Sequence, residues 1–390
     1  MDGVTEAREI FSYAQNLRRD FHRHPELGFQ EIRTAGIIAD ELRKENIEVT
    51  TGVARTGVVG LIEGDHPGTV LLVRFDMDAL PVSEETNAEY ASENPGVMHA
   101  CGHDGHVAVG LAVAKILSAK RKEINGTVKI VFQPAEEGLG GAERMIAAGV
   151  LENPKPDRTL SLHIWNEKPI GWVGVVPGPL MSGSDIFTIR LIGKGGHGGI
   201  PDQTVDPIVC GAAVVQGIQT ITARNISPLQ SAVVSITQFH GGDAFNVIPS
   251  SVELKGTIRT FENQVREKVI RRMEEIIHLV SDGYGCKGEL EVQRLTPPVV
   301  NDEALTQSLA EIIRSKHPEF TVDTTYRSMV SEDMAFMMEH VPGCYLMIGS
   351  ANVEKHLDFS HHHPKFDFDE EVLPIAAGLI VEAVINILKS

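Results

Sequence analysis

The first half of the chain alternates between strand-like and helix-like patterns of hydrophobic residues. Residues 70–75 form a near-continuous apolar run, which is typical of a strand covered on both faces. The patterns predict helices at residues 8–23, 31–45 and 107–119, and strands at residues 57–62, 70–75, 126–132 and 159–165. Because strands and helices alternate, we expect a parallel or mixed sheet with helical crossovers.

The order of elements changes near residue 178, which indicates a second domain. The patterns there predict strands at residues 184–192, 231–238, 251–260 and 288–294 and helices at residues 206–223 and 264–281. This β-α-β-β-α-β order is the split, ferredoxin-like arrangement. The predicted fold is therefore α/β, with a doubly wound mixed sheet in a catalytic domain and an inserted ferredoxin-like α+β domain. We place the catalytic domain at residues 1–180 and 296–390 and the inserted domain at residues 181–295.

Charge and composition exclude several classes of partner. Lys and Arg number 35 against 53 Asp and Glu, a net charge of −18, so we expect neither nucleic acid nor an anionic membrane as a partner. The apolar stretch at residues 372–388 is shorter than a typical membrane span, and residues 1–16 lack the apolar core of a signal peptide. Four irregularly spaced cysteines favour reduced thiols and a cytoplasmic location.

The segment at residues 98–106, Met-His-Ala-Cys-Gly-His-Asp-Gly-His, concentrates groups that bind metal ions. Cys101 and His103 stand two residues apart, so both side chains leave the same face of an extended loop. A thiolate with imidazoles suits zinc or another borderline transition metal. The alternative is a polar loop with a buried cysteine and a hydrogen-bonded histidine.

Further polar groups stand where predicted strands end, on both sides of the inserted domain. They are Asp76, Asp78, Cys101, His103, Glu136, Glu137, His163 and the three histidines at 361–363. In open α/β sheets ligands bind at the carboxyl ends of the strands, so these groups predict one site at one sheet edge. The alternative is a set of independent structural residues; His163 alone, inside an apolar strand, would fit that description.

The adjacent pair Glu136 and Glu137 indicates hydrolytic chemistry. Neighbouring side chains cannot point the same way, so one carboxylate can bind metal while the other accepts a proton from water. The alternative is a solvated helix start, although the glycines at 138, 140 and 141 make a poor one. In the inserted domain, His197 lies on the glycine-rich loop at residues 193–199, which could equally be a flexible hairpin tip.

Seven short segments together resemble one enzyme family along essentially the whole chain. They lie at residues 76–81, 99–104, 132–137, 195–197, 246–249, 256–260 and 362–364. The chain is similar to the aminoacylase and hippurate-hydrolase group of co-catalytic metallohydrolases, which includes the plant auxin-conjugate amidohydrolases. The resemblance implies two divalent ions per subunit, Zn²⁺ or Mn²⁺, with Co²⁺ or Ni²⁺ also compatible.

The resemblance also implies roles for individual residues. The implied ligands are Cys101, His103, Glu137, His163 and His362, with Cys101 as the bridge and Glu136 as the general base. His362 is selected because it stands two residues before Pro364, although His361 and His363 flank it directly. Asp78 and Asp104 would orient imidazoles, and Asn246 and Arg259 would help bind the scissile carbonyl or the substrate carboxylate. His197 would serve the site of a neighbouring subunit, so the inserted domain would act as a lid and form a homodimer.

These observations predict a metal-dependent amidohydrolase that cleaves small N-acetyl or aromatic N-acyl amino acids to a carboxylate and a free amino acid. A metallo-dipeptidase or carboxypeptidase with the same dinuclear site is the alternative within enzymes. A metal-stabilised binding protein is a third hypothesis, but it has no need of an aimed carboxylate at Glu136. The chemical competitor is a thiol nucleophile at Cys101.

Overall fold

The computed structural model describes residues 2–389, which form two compact units. The larger unit holds the chain up to residue 180, residues 300–327 and the chain from residue 333 onward, and the smaller unit holds residues 181–299 and 328–332. Residues 328–332 were not predicted to leave the larger unit. They do so because main-chain and side-chain hydrogen bonds join Ser182 to residues 328–330.

The larger unit is a sheet with helices. Its helices are α1 (Gly3–Glu9), α2 (Phe11–Arg23), α3 (Ile32–Lys44), α4 (His103–Ala119), α5 (Gly141–Ala147), α8 (Glu303–Lys316), α9 (Met334–His340) and α10 (Val372–Ile387). Its strands are β1 (Glu48–Val53), β2 (Gly57–Glu63), β3 (His66–Asp76), β4 (Asn125–Gln133), β5 (Arg158–Pro169), β6 (Trp172–Gly174), β15 (Thr321–Asp323) and β16 (Gly343–Ala351). Among residues 2–389, no helix combines the length and the apolar character needed to cross a bilayer.

The strand order in this sheet is β1-β2-β4-β3-β5-β16-β6-β15. Strand β3 runs parallel to both β4 and β5, and β16 runs parallel to β5. Strands β1 and β2 extend one side of the sheet in antiparallel pairing, and β6 pairs antiparallel with β16. The mixed, mostly parallel centre confirms the predicted sheet and makes the strands β3, β4 and β5 end at a common edge.

Helix α4 packs against this centre and is buried along almost its whole length. Its small and branched apolar residues permit that burial, and Gly110 faces the rings of Phe75 and Phe132. The helix begins directly after Gly102, whose φ of 88° is left-handed and therefore favours glycine. The same glycine lies between Cys101 and His103. One turn of the backbone therefore determines both where the helix begins and where these two predicted ligands are placed.

The smaller unit confirms the predicted ferredoxin-like arrangement. Its main strands are β8 (Gly183–Ile192), β10 (Ala232–His240), β12 (Ser251–Thr260) and β13 (Lys287–Thr296), and its helices are α6 (Pro207–Thr220) and α7 (Asn263–Gly283). The antiparallel order β10-β12-β8-β13 is the one expected of a split β-α-β repeat. Two short strands, β9 (Gly196–His197) and β11 (Val247–Ile248), pair separately. Strands β7 (Gly178–Met181) and β14 (Val299–Asn301) lie where the chain passes from one unit to the other.

Most predicted elements occur within a few residues of their expected bounds. The differences are a helix that is divided in two and a few short elements that were not predicted. The predicted helix at 8–23 is two helices: α1 begins earlier, where the Asp2 side chain accepts the Thr5 N–H, and the backbone leaves helical geometry at Ile10 before α2 begins. Strand β1 and helix α9 had no clear periodic signal. The prediction of two helices in the smaller unit was right to within a few residues at each end.

Two glycines in the larger unit test the packing of its core. A Cβ at Gly110 would lie 2.7 Å from atoms of Phe75 and Phe132, whereas a Cβ at Gly36 in α3 would meet nothing within 4 Å. We expect Gly110→Ala to lower the free energy of unfolding by about 1–3 kcal/mol through overpacking. We expect the matched variant Gly36→Ala to raise it by about 0.5–1 kcal/mol through helix propensity. Urea unfolding of both proteins measures this, and a Gly110→Ala protein as stable as the parent would contradict the packing described.

Candidate metal centre

The predicted site residues of the larger unit come together at the carboxyl edge of its central strands. Asp76, the last residue of β3, lies opposite Gln133, the last residue of β4. The loops that follow these two strands therefore leave the sheet side by side. His163 lies in β5, the other neighbour of β3, and is almost completely buried.

Cys101, His103 and His163 form the first group of metal-binding atoms. The Cys101 Sγ atom lies 3.5 Å from His163 Nε2. His163 donates its Nδ1–H to the carbonyl oxygen of Ile164 at 2.7 Å, and His103 donates its Nδ1–H to the carbonyl oxygen of Asp78 at 2.9 Å. In both rings Nδ1 therefore carries a proton, so Nε2 is the nitrogen that a metal ion would bind.

A second group shares Cys101 with the first. It consists of Cys101, Glu137 and His362, and the ligand atoms within each group lie within 4.8 Å of one another. His362 Nε2 lies 3.2 Å from Glu137 Oε1. Two overlapping groups with a common thiol are the arrangement that two neighbouring metal positions require.

The donor atoms fit divalent transition metals. His103 Nε2 is buried without a hydrogen-bond partner, a costly state for a polar atom unless something else satisfies it. A sulfur, imidazole nitrogens and a carboxylate oxygen are the donor types that zinc and similar ions accept.

Burial and nearby charges shift the pKa values of side chains in the centre. Burial, with Glu137 nearby, raises the pKa of the Cys101 thiol well above its usual range. Burial lowers the pKa of His163, whereas at His103 it is outweighed by Asp76 and Cys101, which raise the pKa of that ring. A metal ion would displace the protons from Cys101 and His103, because it binds the thiolate and the neutral imidazole.

The structure distinguishes the three consecutive histidines. His361 Nε2 accepts the N–H of Asn166 at 3.2 Å, and its Nδ1 faces Cys101 Sγ at 3.9 Å. Burial and the adjacent His362 lower the pKa of His361 to about 3, so the ring is neutral and its proton sits on Nδ1. His361 therefore has no lone pair for a metal ion, whereas His362 points its Nε2 at Glu137.

The acidic turn at residues 134–138 is held by two buried carboxylates. Asp78 Oδ1 and Oδ2 accept the main-chain N–H groups of Glu136 and Glu137 at 3.0 and 3.1 Å. Glu31 accepts the N–H of Ala135 at 3.0 Å and the hydroxyl of Thr56 at 2.6 Å. Ala135 has a left-handed φ of 57°, which costs free energy and is sustained by these bonds. Asp78 thus orients the His103 ring through its carbonyl oxygen and uses its carboxylate to fix the two glutamates.

Asp104 contacts a different imidazole from the predicted ligands. Its carboxylate lies 2.8 Å from Arg18 Nε and 2.7 Å from His22 Nδ1, and all three side chains are buried. Although burial opposes it, Asp104 raises the pKa of His22 to about 9, so His22 is an imidazolium. Arg18 also binds Asp367 at 2.6 Å. This network ties α2 to the start of α4 and to the loop that follows the three histidines.

The smaller unit brings two of its three predicted site residues together. His197 in β9 pairs with Val247 in β11, and the N–H of Gly198 binds the carbonyl oxygen of Asn246 at 2.8 Å. His197 is exposed, and its Nδ1 accepts the N–H of Gly199 at 3.0 Å. Arg259 lies apart from them, near the far end of β12.

A model of the peptidase family M20/M25/M40 matches residues 72–386. The chain belongs to this family. It is 39% identical over 381 residues to the N-acetylcysteine deacetylase of Bacillus subtilis, covering 96% of this chain and 97% of the relative. It is 39% identical to thermostable carboxypeptidase 1 of Saccharolobus solfataricus, covering 95% and 94%. The crystal structure of the Bacillus subtilis YXEP protein, described as a dinuclear metal-binding peptidase, superposes with a TM-score of 0.87 at 34% identity, covering 98% and 99%.

Membership of the M20/M25/M40 family confirms the predicted family and the prediction of a hydrolase. It also agrees with the cluster of metal-binding side chains, which the fold assembles from segments far apart in the sequence. The match covers the inserted unit as well as the sheet, in line with the predicted architecture.

Several residues that support the centre were not predicted from the sequence of this M20/M25/M40 member. Arg18 and His22 lie in α2 and Glu31 directly precedes α3; the density of polar groups around the break between the two helices is the only sequence signal there. Arg18 and His22 stand four residues apart and therefore on one face of that helix, which is buried. Charged residues on the buried face of an amphipathic helix are the pattern that could have revealed them.

The assignment within the histidine run can be tested by metal affinity. We expect His362→Ala to weaken Zn²⁺ binding by more than about 100-fold, because a ligand is lost, and His361→Ala by about 10–100-fold, as for an outer partner. His363→Ala is the matched control, since its ring stacks on Phe359 and its Nδ1 accepts the Lys365 N–H. Titration against a competing chelator measures the affinities. Equal losses for His361→Ala and His362→Ala would contradict the assignment.

Proposed function

We propose that this M20/M25/M40 hydrolase cleaves the amide bond of N-acyl amino acids, releasing a carboxylate and a free amino acid. The observation that carries the proposal is the acidic turn. Asp78 fixes two successive peptide groups, so Glu137 faces Cys101 and His362, and Glu136 beside it has a carboxylate oxygen within 4.8 Å of ligand atoms of His103 and Glu137. In support, one relative is named a deacetylase of N-acetylcysteine, which is an N-acyl amino acid, and another is named a carboxypeptidase.

Each residue of the centre has one task in this reaction. Cys101, His103, Glu137, His163 and His362 would hold two divalent ions, Zn²⁺ or Mn²⁺, with Co²⁺ or Ni²⁺ as substitutes. When bound, such ions polarise the scissile carbonyl and lower the pKa of the attacking water. Glu136 removes the proton from that water and passes it to the leaving nitrogen, so one carboxylate serves first as base and then as acid.

His197 is suited to stabilise negative charge on the carbonyl oxygen. Because its Nδ1 accepts the Gly199 N–H, the proton of the neutral ring is on Nε2. An exposed Nε2–H on a rigid pair of strands is a hydrogen-bond donor for a developing oxyanion. Asn246, paired beside it, would add a second polar contact to the same carbonyl.

Arg259 supplies the contact that selects an amino acid leaving group. It donates to the Ser184 hydroxyl at 2.5 Å and to Thr257, which fixes the guanidinium on β12. Burial lowers the pKa of Arg259, but an arginine stays protonated at neutral pH. A partly desolvated guanidinium binds a carboxylate strongly, so the free carboxylate of the substrate is the group it would recognise.

The positions of Arg259 and His197 support a homodimer. His197 and Asn246 lie near the beginning of β12, whereas Arg259 stands eight residues beyond Ser251, about 25 Å along the strand. A small N-acyl amino acid cannot touch both ends at once. If both residues act on substrate, a second copy must supply one of them, and we assign His197 and Asn246 to the partner's site.

The remaining parts of the proposal rest on the sequence. The described cysteines are all free thiols, as expected for a cytoplasmic enzyme.

A dipeptidase or carboxypeptidase would use the same centre and the same arginine, and it differs in accepting an amino acid or peptide in place of a simple acyl group.

The two carboxylates can be separated by experiment. We expect Glu136→Gln to keep the bound metal and lower kcat by at least 10²–10⁴-fold, the usual contribution of a general base. We expect the matched change Glu137→Gln to lower the metal content instead. The assay uses Zn²⁺- or Mn²⁺-loaded protein with N-acetyl and benzoyl amino acids beside dipeptides. A Glu136→Gln protein with normal turnover would overturn the base, and higher kcat/KM on dipeptides would favour the peptidase alternative.

The subunit assignment of His197 is tested with mixed dimers that carry the same two changes in different distributions. A dimer of one His197→Ala and one Glu136→Gln chain should have about half the parental activity, because one site then has its own Glu136 and its partner's His197. A dimer of an unchanged chain and a chain with both changes should be inactive. Differently tagged chains are co-expressed and the mixed dimers purified. The opposite result, an active second dimer, would place His197 in its own chain's site.

A further inference from the structure

Asp333 lies behind the acidic turn, at the start of α9. Its main-chain N–H donates to Glu136 Oε1 at 3.3 Å. This contact links a residue 197 positions away in the sequence to the proposed base. The two residues both belong to the larger unit.

The carboxylate of Asp333 is fixed by groups of the same unit. Its Oδ1 accepts Gln133 Nε2 at 2.7 Å and Arg74 Nη2 at 3.1 Å, and its Oδ2 accepts the Ala142 N–H at 2.9 Å. Asp333 is 2% exposed and Arg74 is completely buried. Arg74 also binds Asp76, the last residue of β3, at 2.7 Å. Bonds of this kind in a buried setting hold a side chain in one position.

The location of Asp333 in the chain explains the need for such an anchor. Residues 328–332 belong to the smaller unit, and residue 333 is the point at which the chain returns to the larger one. The peptide that donates to Glu136 therefore joins the last residue of that segment to the first residue back in the larger unit. The Asp333 carboxylate itself is bonded to Arg74 of β3, Gln133 of β4 and Ala142 of α5, all in the larger unit.

We propose that Asp333 is a positioning residue for the general base. Its buried carboxylate locks the peptide N–H that orients the Glu136 carboxylate, and it acts on catalysis through Glu136. The inference rests on the proposed role of Glu136. Glu137 is held differently, by Asp78 and against His362, so Asp333 affects the base and not the metal ligands. A displacement of about 1 Å at a catalytic group can cost on the order of 100-fold in rate.

A double-mutant cycle tests whether Asp333 acts through Glu136. Asp333→Asn places an amide N–H₂ group, itself a donor, among the donors of Arg74, Gln133 and Ala142. The side chain at position 333 is then no longer held in place by all three bonds. We expect kcat to fall by about 10–100-fold, with KM and the Zn²⁺ content unchanged. In a Glu136→Gln background the same change should cause no further loss. Gln133→Ala, which removes one bond to Asp333, should show a smaller loss with the same dependence on Glu136.

A structural readout and a control complete the test. In a crystal structure of metal-loaded Asp333→Asn protein, the Glu136 carboxylate should be displaced and the Glu137 carboxylate unmoved. Glu382→Gln is the matched control: Glu382 is another buried carboxylate of the larger unit, bonded to Gly3 N–H at 2.8 Å and to His317. It should lower the unfolding midpoint without changing kcat.

Three results would overturn the inference. They are an Asp333→Asn loss that persists in the Glu136→Gln background, a parallel loss of bound metal, and an unmoved Glu136 in the crystal structure. Full activity of the Glu136→Gln protein would overturn the proposed base itself, so the two failures are distinguishable.

Discussion

The Asp78 carboxylate binds two successive main-chain N–H groups, and the arrangement of the whole centre depends on that contact. A carboxylate that accepts from adjacent peptides fixes the backbone at both residues and therefore sends their side chains in different directions. Glu137 faces Cys101 and His362, and the proposed base Glu136 lies beside it, with a carboxylate oxygen within 4.8 Å of ligand atoms of His103 and Glu137. The carbonyl oxygen of Asp78 also accepts the Nδ1–H of His103, so one residue orients a proposed metal ligand and positions both glutamates.

The centre is supported by ion pairs that are buried behind it. Arg74 binds Asp76 and Asp333 under the acidic turn, and Arg18 binds Asp104 and Asp367 behind the start of α4. Burying these charges is expensive, and the cost is offset only because each guanidinium meets several carboxylate oxygens in good geometry. In return, the loops that carry the ligands are attached to the rigid sheet and to α2, which holds the ligand atoms close together even though they come from distant parts of the chain.

The sequence predicted the elements and the strand-end residues, because hydrophobic periodicity is local and the carboxyl ends of parallel strands meet at one edge. It could not predict the partners of those residues. Glu31 and Asp333 reach the acidic turn across 104 and 197 positions, and no local pattern encodes such pairs. Asp104 was expected beside a ligand imidazole and instead pairs with Arg18 and His22 from a helix near the N-terminus.

The three consecutive histidines show the same limit at shorter range. In the sequence, the choice of His362 as the metal ligand depended only on its distance from Pro364. In the structure, the N–H of Asn166 occupies Nε2 of His361 and so distinguishes His361 from His362. In the proposed centre, one thiol joins two metal positions while Glu136 stays unbound. Anomalous diffraction from crystals of the Zn²⁺-loaded protein tests it directly. We expect two ions, both in contact with Cys101 Sγ, and a Glu136 carboxylate that binds neither; a single ion, or an ion bound to Glu136, would contradict the proposed centre.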